Sequence, residues 1–149
     1  MIDQFWNLAH KLYQKGFRRL ARFFEVLSMT ISSHAVSAQI EIGEGSRFWH
    51  HGLGCVALQT VHIGKNCMIF QNVTFGNTLS ERSSQQNRGG YCSVGDNVMI
   101  GAGAVILGNI RIGNNVQIGA NAVVTHDIPD NCVAVGIPAR FKVKNNSEE

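Results

Sequence analysis

Aliphatic residues return every six positions along most of the chain, and a second apolar track precedes the first by two positions. The first track comprises Ala57, Ile63, Ile69, Phe75, Val94, Ile100, Ile106, Ile112, Ile118 and Val124, and the second comprises Cys55, Val61, Cys67, Val73, Cys92, Val98, Ala104, Ile110, Val116 and Ala122. Two apolar residues separated by one residue lie on the same face of a short strand. The spacings of three and four that an amphipathic helix needs are absent here. Each six-residue unit is therefore predicted to be a short strand followed by a corner.

Strands of this length cannot bury their apolar face alone, so the units are predicted to stack on one another. Glycine follows several members of the first track, as at Gly101 and Gly119, and gives the backbone the freedom to turn. The predicted fold class is an all-β solenoid, with coils about 4.8 Å apart. We expect it to span residues 36–144.

Two segments interrupt the six-residue rhythm. The phase at Phe48 predicts the next track residue at position 54, but the track resumes at Ala57. The three extra residues fall in the sequence FWHHGLGCV, which contains two adjacent histidines. The second interruption is longer, and most of it, residues 77–91, is polar without repeat character. Since a long segment in a compact domain is usually functional, this one is predicted to project from a corner as a loop.

Residues 1–35 follow a different pattern, with apolar residues at spacings of three and four that predict an amphipathic helical segment. Gly16 is expected to weaken or kink it. Lys11, Lys15 and Arg22 belong to a basic stripe on this segment. Packing on the solenoid or on a neighbouring subunit is the preferred interpretation. Peripheral contact with an anionic membrane surface stays open as the alternative. The last residues, 145–149, are predicted to be a disordered polar tail.

Composition narrows the class of protein. The chain has 149 residues, 44% of them hydrophobic and 15% charged, which indicates one globular domain rather than a disordered chain. A net charge of +3 is too small to indicate a nucleic-acid partner. No apolar run reaches the ~18 residues of a membrane span, and no signal peptide is recognisable. We expect a cytoplasmic protein, with the inner face of the membrane as an additional location if the helical segment binds lipid.

Four cysteines occur without a CxxC pair, so the spacing does not indicate a zinc or thioredoxin-like site. Cys55, Cys67 and Cys92 lie on the second apolar track and are predicted to be buried thiols. A metal-dependent hydratase would need three convergent imidazoles, a pattern that the histidines of this chain do not show. No metal site is predicted.

The repeats also resemble a known family. The sequence VGDNVMIGAGAVILGNIRIGNNVQIGANAVV, followed by VAVGIPAR, resembles the hexapeptide-repeat acyltransferases over residues 36–144. The segments EIGEG and HHGLGCV are most similar to the serine acetyltransferase-like branch, which includes sugar and polysaccharide O-acetyltransferases. The resemblance implies a left-handed parallel β-helix, a homotrimer, and transfer of an acetyl group from acetyl-CoA to a hydroxyl, with CoA as product.

The general base is expected at the first interruption, because histidine accepts a proton near neutral pH. In the resembling enzymes the base lies three residues before a glycine. Anchoring on Gly54 selects His51, whereas counting forward from EIGEG selects His50. We favour His51, since the glycine is the nearer anchor. Trp49 and Tyr91 are assigned to the acceptor site.

An extended groove between subunits is expected to hold acetyl-CoA, with small residues at the close approach and cations at the phosphates. The residues assigned to it are Gly76, Asn77, Gly101, Ala102, Ala120, Arg140 and Lys142.

Three departures from serine acetyltransferases bear on the acceptor. Ala35 stands where the family has an aspartate that orients the base, and the nearest carboxylates are those of Glu41 and Glu44. Tyr91 replaces a second active-site histidine. The helical segment is also shorter than the family's N-terminal domain. The sequence therefore favours a sugar or polysaccharide hydroxyl as acceptor, with serine as the alternative; a non-catalytic β-helix that binds a partner is the remaining hypothesis.

Overall fold

The computed structural model describes residues 4–76 and 92–144. Two helices come first, α1 (Gln4–Gln14) and α2 (Arg18–Ser32). Within the described residues, fifteen strands of two to four residues follow and form three sheets. The predicted loop at 77–91 and the tail at 145–149 lie outside the described residues.

The three sheets are parallel except at one terminal strand. The first sheet contains β1 (Ala35–Val36), β4 (Val56–Ala57), β7 (Thr74–Gly76), β10 (Val105–Leu107) and β13 (Val123–Val124). The second contains β2 (Glu41–Ile42), β5 (Val61–Ile63), β8 (Cys92–Val94) and β11 (Arg111–Ile112). The third contains β3 (Arg47–Phe48), β6 (Met68–Ile69), β9 (Met99–Ile100), β12 (Gln117–Ile118), β14 (Cys132–Val135) and β15 (Arg140–Val143).

Through β13, the chain adds one strand to each sheet in turn. Strands three apart in chain order therefore pair with each other. In the regular part, Val105 pairs with Val123 eighteen residues later, which is three six-residue units. Both apolar tracks point inward: Ile100, Ile106 and Ile118 are fully buried, as is Val116 of the second track. Burying one such side chain stabilises the fold by about 1.5–3 kcal/mol. The short strands and their inward faces are therefore placed as the six-residue spacing predicts.

Both interruptions leave the stacking intact. Across the first one, Ala35 pairs with Val56, which is three residues more than a regular coil. Across the second one, Val61 pairs with Cys92, which is thirteen residues more than a regular coil. Neither interruption therefore displaces a described strand from its sheet.

The corner between the second and third sheets carries a ladder of asparagines in the left-handed conformation. Asn97, Asn115 and Asn131 have φ of +57°, +56° and +59°. The Asn97 Nδ2 donates to Asn115 Oδ1 at 3.3 Å, and the Asn115 Nδ2 donates to Asn131 Oδ1 at 3.0 Å. Asparagine tolerates this conformation better than most residues, and its side chain links successive coils.

The N-terminal segment is two helices rather than one. Gly16, with φ of +83°, lies in the link after α1, and Phe17 immediately precedes α2. The sequence predicted only a weakening or kink at Gly16, whereas a backbone in the left-handed region breaks the helix and lets α2 fold back against α1.

The helices pack on the first coil through specific polar contacts. The Trp6 indole donates to Val36 O at 3.0 Å, and Glu25 Oε1 accepts from Ala38 N at 2.8 Å. A second pair, Ser28 Oγ and His34 Nε2, is buried at 2.8 Å. The described contacts thus agree with the preferred interpretation, in which the helical segment packs on the coil. Neither described helix is long and apolar enough to cross a bilayer.

The terminal strand β15 turns back and pairs antiparallel with β14. Val135 pairs with Arg140 and Cys132 with Val143. Before this pairing begins, Ala139 N donates to Val123 O at 2.8 Å, so the connecting turn lies over the last strand of the first sheet.

The asparagine ladder makes a test of corner chemistry. Asn115→Ala removes two side-chain hydrogen bonds. It also places at positive φ a residue that has a Cβ but no polar side-chain group. We therefore expect the free energy of unfolding to fall by about 2–3 kcal/mol. Asn115→Gly is the matched control, because glycine keeps the backbone conformation and loses only the ladder. Urea unfolding at one protein concentration measures both. Equal losses in the two variants would mean that the backbone conformation contributes nothing.

The cysteines make a second test. All four described thiols are buried, and burial, with a smaller contribution from the Asp127 carboxylate, raises the pKa of Cys92 to about 12. Burial also raises the pKa of Cys55 and of Cys67. Because a raised pKa lowers the thiolate fraction of Cys55, Cys67 and Cys92 at pH 8.5, and because all four thiols are buried, we expect iodoacetamide to leave the native protein unmodified. The denatured protein should gain four adducts by mass spectrometry. A singly modified native protein would contradict this protection.

Candidate functional site

The two histidines lie in a tight turn that directly follows β3. It spans Trp49–Gly52 and contains both of them in the left-handed conformation. It is closed by Leu53 N donating to His50 O at 3.1 Å and by Cys55 N donating to Gly52 O at 2.8 Å. Gly52 and Gly54 have positive φ, which lets the chain reverse and rejoin the first sheet. We call residues 49–54 the histidine turn; it holds the three residues that break the rhythm.

Both histidines have a backbone conformation that their side chains disfavour. His50 has φ of +52° and His51 has φ of +57°, and both residues are exposed. A left-handed conformation costs a residue with a Cβ about 1–2 kcal/mol. Glycine would relieve that cost, so two consecutive histidines here are unfavourable for the fold. Strain of this kind collects at functional sites, which agrees with the sequence prediction of a base in this turn.

An aromatic pair flanks the histidine turn. The Trp49 ring stacks on Phe70 of the next coil, with ring centroids 5.8 Å apart and planes 8° from parallel. Trp49 nevertheless stays 43% exposed, and Leu53 on the other side of the histidines is 49% exposed. The turn thus presents two imidazoles between two exposed apolar side chains. The assignment of Trp49 to the acceptor site stays a prediction, and sequence reasoning did not single out Leu53 or Phe70.

The corner turns that follow strands of the third sheet stack along one edge of the molecule. Asn72 N donates to Leu53 O at 2.8 Å, which joins the next turn to the histidine turn. Gly103 N then donates to Gln71 O at 3.0 Å, and Asn121 N to Ala102 O at 2.9 Å. We call this line of corners the histidine edge. It brings the histidines into line with three of the predicted cofactor residues, Gly101, Ala102 and Ala120.

Close approach of the backbones shapes this edge. A Cβ built on Gly101 would lie 2.6 Å from Ala120 N, so glycine is required there by space. With coils about 4.8 Å apart, Ala102 lies two coils and Ala120 three coils from the histidine turn. The histidine edge is therefore about 15 Å long, and small residues occupy its corners two and three coils from the histidine turn.

Gln71 also lies on this edge and was missed by sequence reasoning. It lies between Phe70 and Asn72, both of which contact the histidine turn. Its Oε1 is buried and has no hydrogen-bond partner among the described residues. The sequence shows only which position of the repeat Gln71 occupies. That position does not indicate whether its side-chain oxygen is buried without a hydrogen-bond partner or exposed on the surface.

Arg140 lies beside the last residue of β14, where the histidine edge ends. It pairs with Val135 there, and it also borders a cavity of about 350 Å³ with Thr125 and His126, which follow β13 at the other end of the first sheet's strands. It is exposed, and its Nη1 donates to Ala139 O at 3.3 Å. Lys142 pairs with Val133 and therefore lies farther from the edge, over the third sheet.

Gly76 lies at the other end of the first sheet's strands. It is the last residue of β7, and its O accepts from Gly108 N at 2.8 Å. The strands of the first sheet separate it from the histidine edge of the same chain. Asn77 and Tyr91, the other predicted residues near this corner, lie outside the described residues.

The carboxylates nearest to the histidine turn in sequence are those of Glu41 and Glu44, and each lies in another part of the molecule. Glu41 Oε2 lies 2.7 Å from His62 Nδ1 on the outer face of the second sheet. Glu44 borders a cavity of about 390 Å³ between α1 and the first coil, together with Trp6 and Lys11. Within residues 4–76 and 92–144, no three His, Cys, Asp or Glu side chains are grouped to hold a metal ion.

Comparisons with known proteins agree with the repeat and with the fold. The family description "Bacterial transferase hexapeptide (six repeats)" matches residues 91–126. A serine acetyltransferase of Synechococcus elongatus is 39% identical over 134 residues, which cover 90% of this chain and 52% of that protein. The chain thus spans about half the length of this relative.

Solved structures give the same result. A serine acetyltransferase in complex with CoA superposes with a TM-score of 0.78 at 33% identity, covering 93% of this chain and 54% of that one. Soybean serine acetyltransferase complexed with serine gives a TM-score of 0.79 at 37% identity, covering 93% and 55%. Residues 91–126 thus carry the repeat of the bacterial hexapeptide transferases, and over most of its length the chain is similar to serine acetyltransferases.

Proposed function

We propose that this protein is an acetyl-CoA-dependent serine O-acetyltransferase whose general base is a histidine of the histidine turn. The observation that carries the proposal is the pair of strained, exposed histidines at the head of an edge lined by small residues. The relatives and the structures solved with CoA and with serine support the reaction and the acceptor.

This acceptor replaces the sugar or polysaccharide that the sequence favoured. That expectation depended on Ala35, on Tyr91 and on the short helical segment. None of these supplies the base: the first two concern groups that assist a histidine, and the third concerns a part of the relatives that this chain does not span. Similarity to serine acetyltransferases over 90% of the chain therefore supports the serine alternative more strongly.

The reaction needs one proton acceptor and one leaving thiolate. The imidazole takes the proton from the serine hydroxyl as the oxygen attacks the thioester carbonyl. The C–S bond then breaks, and the departing CoA sulfur takes the proton back from the imidazolium. The products are O-acetylserine and CoA, and the histidine returns to its neutral form. A hydrogen bond from a backbone N–H to the developing oxyanion stabilises the tetrahedral intermediate.

The histidine edge fits an extended anionic co-substrate. Gly101, Ala102 and Ala120 let a pantetheine arm run close to the backbone. Arg140 at the far end of the edge suits a phosphate, because a guanidinium binds phosphate oxygens through paired hydrogen bonds. Lys142 contributes charge over the third sheet rather than a contact on the edge.

A flat-walled coil offers this ligand only one side of a groove, so a second wall is needed. We infer a left-handed coil and a homotrimer, in which a neighbouring subunit supplies that wall. The corner at Gly76 on that neighbour, with Asn77 and Tyr91, is then free to take part, although it is separated from the histidine edge within one chain.

The proposed base is tested by His51→Gly and His50→Gly. Glycine is the informative substitute, because it removes the imidazole and also relieves the positive-φ strain. We expect His51→Gly to lower kcat by about 10²–10⁴-fold in a thiol-release assay with acetyl-CoA and serine, while thermal stability stays equal or rises. His50→Gly should change kcat only a few-fold.

His62, on the outer face of the second sheet, offers a matched control in His62→Ala, which should retain full activity. The same assay run with simple sugars, nucleotide sugars and polysaccharide fragments tests the acceptor. Turnover with a sugar and none with serine would contradict the proposed acceptor and leave the base intact. Loss only in His50→Gly would transfer the role of base to His50, and full activity in both variants would overturn the site.

The cofactor end is tested by Arg140→Ala. Loss of a charge-assisted phosphate contact should raise KM for acetyl-CoA about tenfold and leave kcat and KM for serine unchanged. Lys65→Ala, an exposed cation on another corner, serves as the control. A fall in kcat without a change in KM would contradict binding of the phosphates by Arg140.

A further inference from the structure

The two helices carry an apolar surface that the coil does not cover. Leu20, Phe23 and Ile31 are 48%, 62% and 59% exposed, and Phe17 between the helices is 60% exposed. Leu8 of α1 is also exposed. We call these five side chains the hairpin face. Large apolar side chains grouped in this way mark an interaction surface.

The hairpin face is distinct from the side that packs on the coil. On α2, the buried residues are Ala21, Glu25 and Ser28, four and three positions apart. Leu20, Phe23 and Ile31 follow a second stripe, at intervals of three and eight, which points away from the first. Packing on the coil therefore leaves this stripe in solvent.

The exposed charges around the face are all cations within residues 4–32. Five basic residues are exposed on the two helices and the link between them, namely Lys11, Lys15, Arg18, Arg19 and Arg22. Glu25, the acidic residue in this range, is only 5% exposed and is held by Ala38 N and by Arg22 Nη1, 2.7 Å away. The hairpin face thus combines exposed aromatic and aliphatic side chains with a one-signed positive rim.

This charge pattern selects the partner. A second copy of the same face would bring eight unpaired cations together, and residues 4–32 of either copy present no exposed acid to them, which opposes self-association. An anionic bilayer surface complements both features, because apolar side chains enter the acyl boundary while Lys and Arg stay at the headgroups. We propose that the hairpin face binds the surface of an anionic lipid membrane.

The proposal is compatible with packing of the helices on the coil, because opposite sides of the helices are used. It does not depend on the acetyl transfer proposed above. Failure of that reaction would leave vesicle binding unchanged, and failure of vesicle binding would leave turnover in solution unchanged, so the two outcomes are distinguishable.

Co-sedimentation with vesicles tests the proposal on the full chain. We expect binding to vesicles of phosphatidylcholine with about 30% phosphatidylglycerol at low salt, and release as salt rises. Pure phosphatidylcholine vesicles should bind at least tenfold less. The double change Leu20→Ser, Phe23→Ser should lower binding to the anionic vesicles about tenfold or more.

Matched controls test whether vesicle binding requires the hairpin face rather than any exposed apolar or basic side chains. Ile137→Ser with Val143→Ser removes two side chains that are 73% and 66% exposed at the other end of the coil, and should bind as the unaltered protein does. Arg18→Gln with Arg19→Gln tests whether the cations beside the hairpin face contribute to vesicle binding. Lys65→Gln with Arg111→Gln is its control, because it removes the same charge from the coil. Thermal unfolding verifies that each variant is folded.

Three results would overturn the proposal. The first is recovery of the unaltered protein in the supernatant with both kinds of vesicle. The second is undiminished binding by Leu20→Ser, Phe23→Ser. The third is a concentration-dependent increase in particle size in solution that this double variant abolishes, because that result would assign the face to a second copy of the chain.

Discussion

Every feature of this molecule depends on the close parallel stacking of backbones at the corners of its coils. A Cβ on Gly64 would lie 2.5 Å from Gly95 O, and one on Gly95 would lie 2.8 Å from Gly113 C, so successive coils leave no space for a side chain there. This approach holds the six-residue units in register, and the register in turn directs both apolar tracks into one continuous core. The same constraint excludes a deep pocket, because the walls are flat and the interior is filled. Chemistry is therefore confined to corners and to surfaces between chains.

The histidine turn shows how such a scaffold accommodates an active group. Three additional residues lift the chain off the wall between β3 and β4, and the next coil resumes its pairing without a change of face. Stacking of Trp49 on Phe70 and the bond from Asn72 N to Leu53 O anchor the lifted turn to the coil below. These contacts with the next coil allow two left-handed histidines to persist, since relaxing them would require breaking the contacts.

How well the sequence predicted each feature depends on how far apart in sequence the interacting residues lie. Positions such as Ile100 and Ile118 were assigned correctly, because a two-residue alternation inside a six-residue repeat is a local property. The break at Gly16 was only half predicted: glycine signals weakness in a helix, but the sign of its φ depends on α2 folding back. Glu25 was not anticipated as an inward acceptor, since its partner Ala38 N lies thirteen residues away on another element. The choice between His50 and His51 stays open for a physical reason, because neither residue obeys strand alternation.

The antiparallel pairing of β15 on β14 has a consequence for the molecule as a polymer unit. A stack of parallel coils is in principle endless, since its last coil presents the same unpaired N–H and C=O groups as every coil before it. Reversal of the chain at Gly136 fills those groups on the third sheet with a strand of the opposite direction, and the preceding turn covers the first sheet through Ala139. At the opposite end, Glu25 and Trp6 occupy backbone groups of the first coil in the same manner. Termination is thus encoded separately from the repeat, and a truncation that removed residues 136–144 would expose a surface built to add another coil, which is the geometry of a growing fibre.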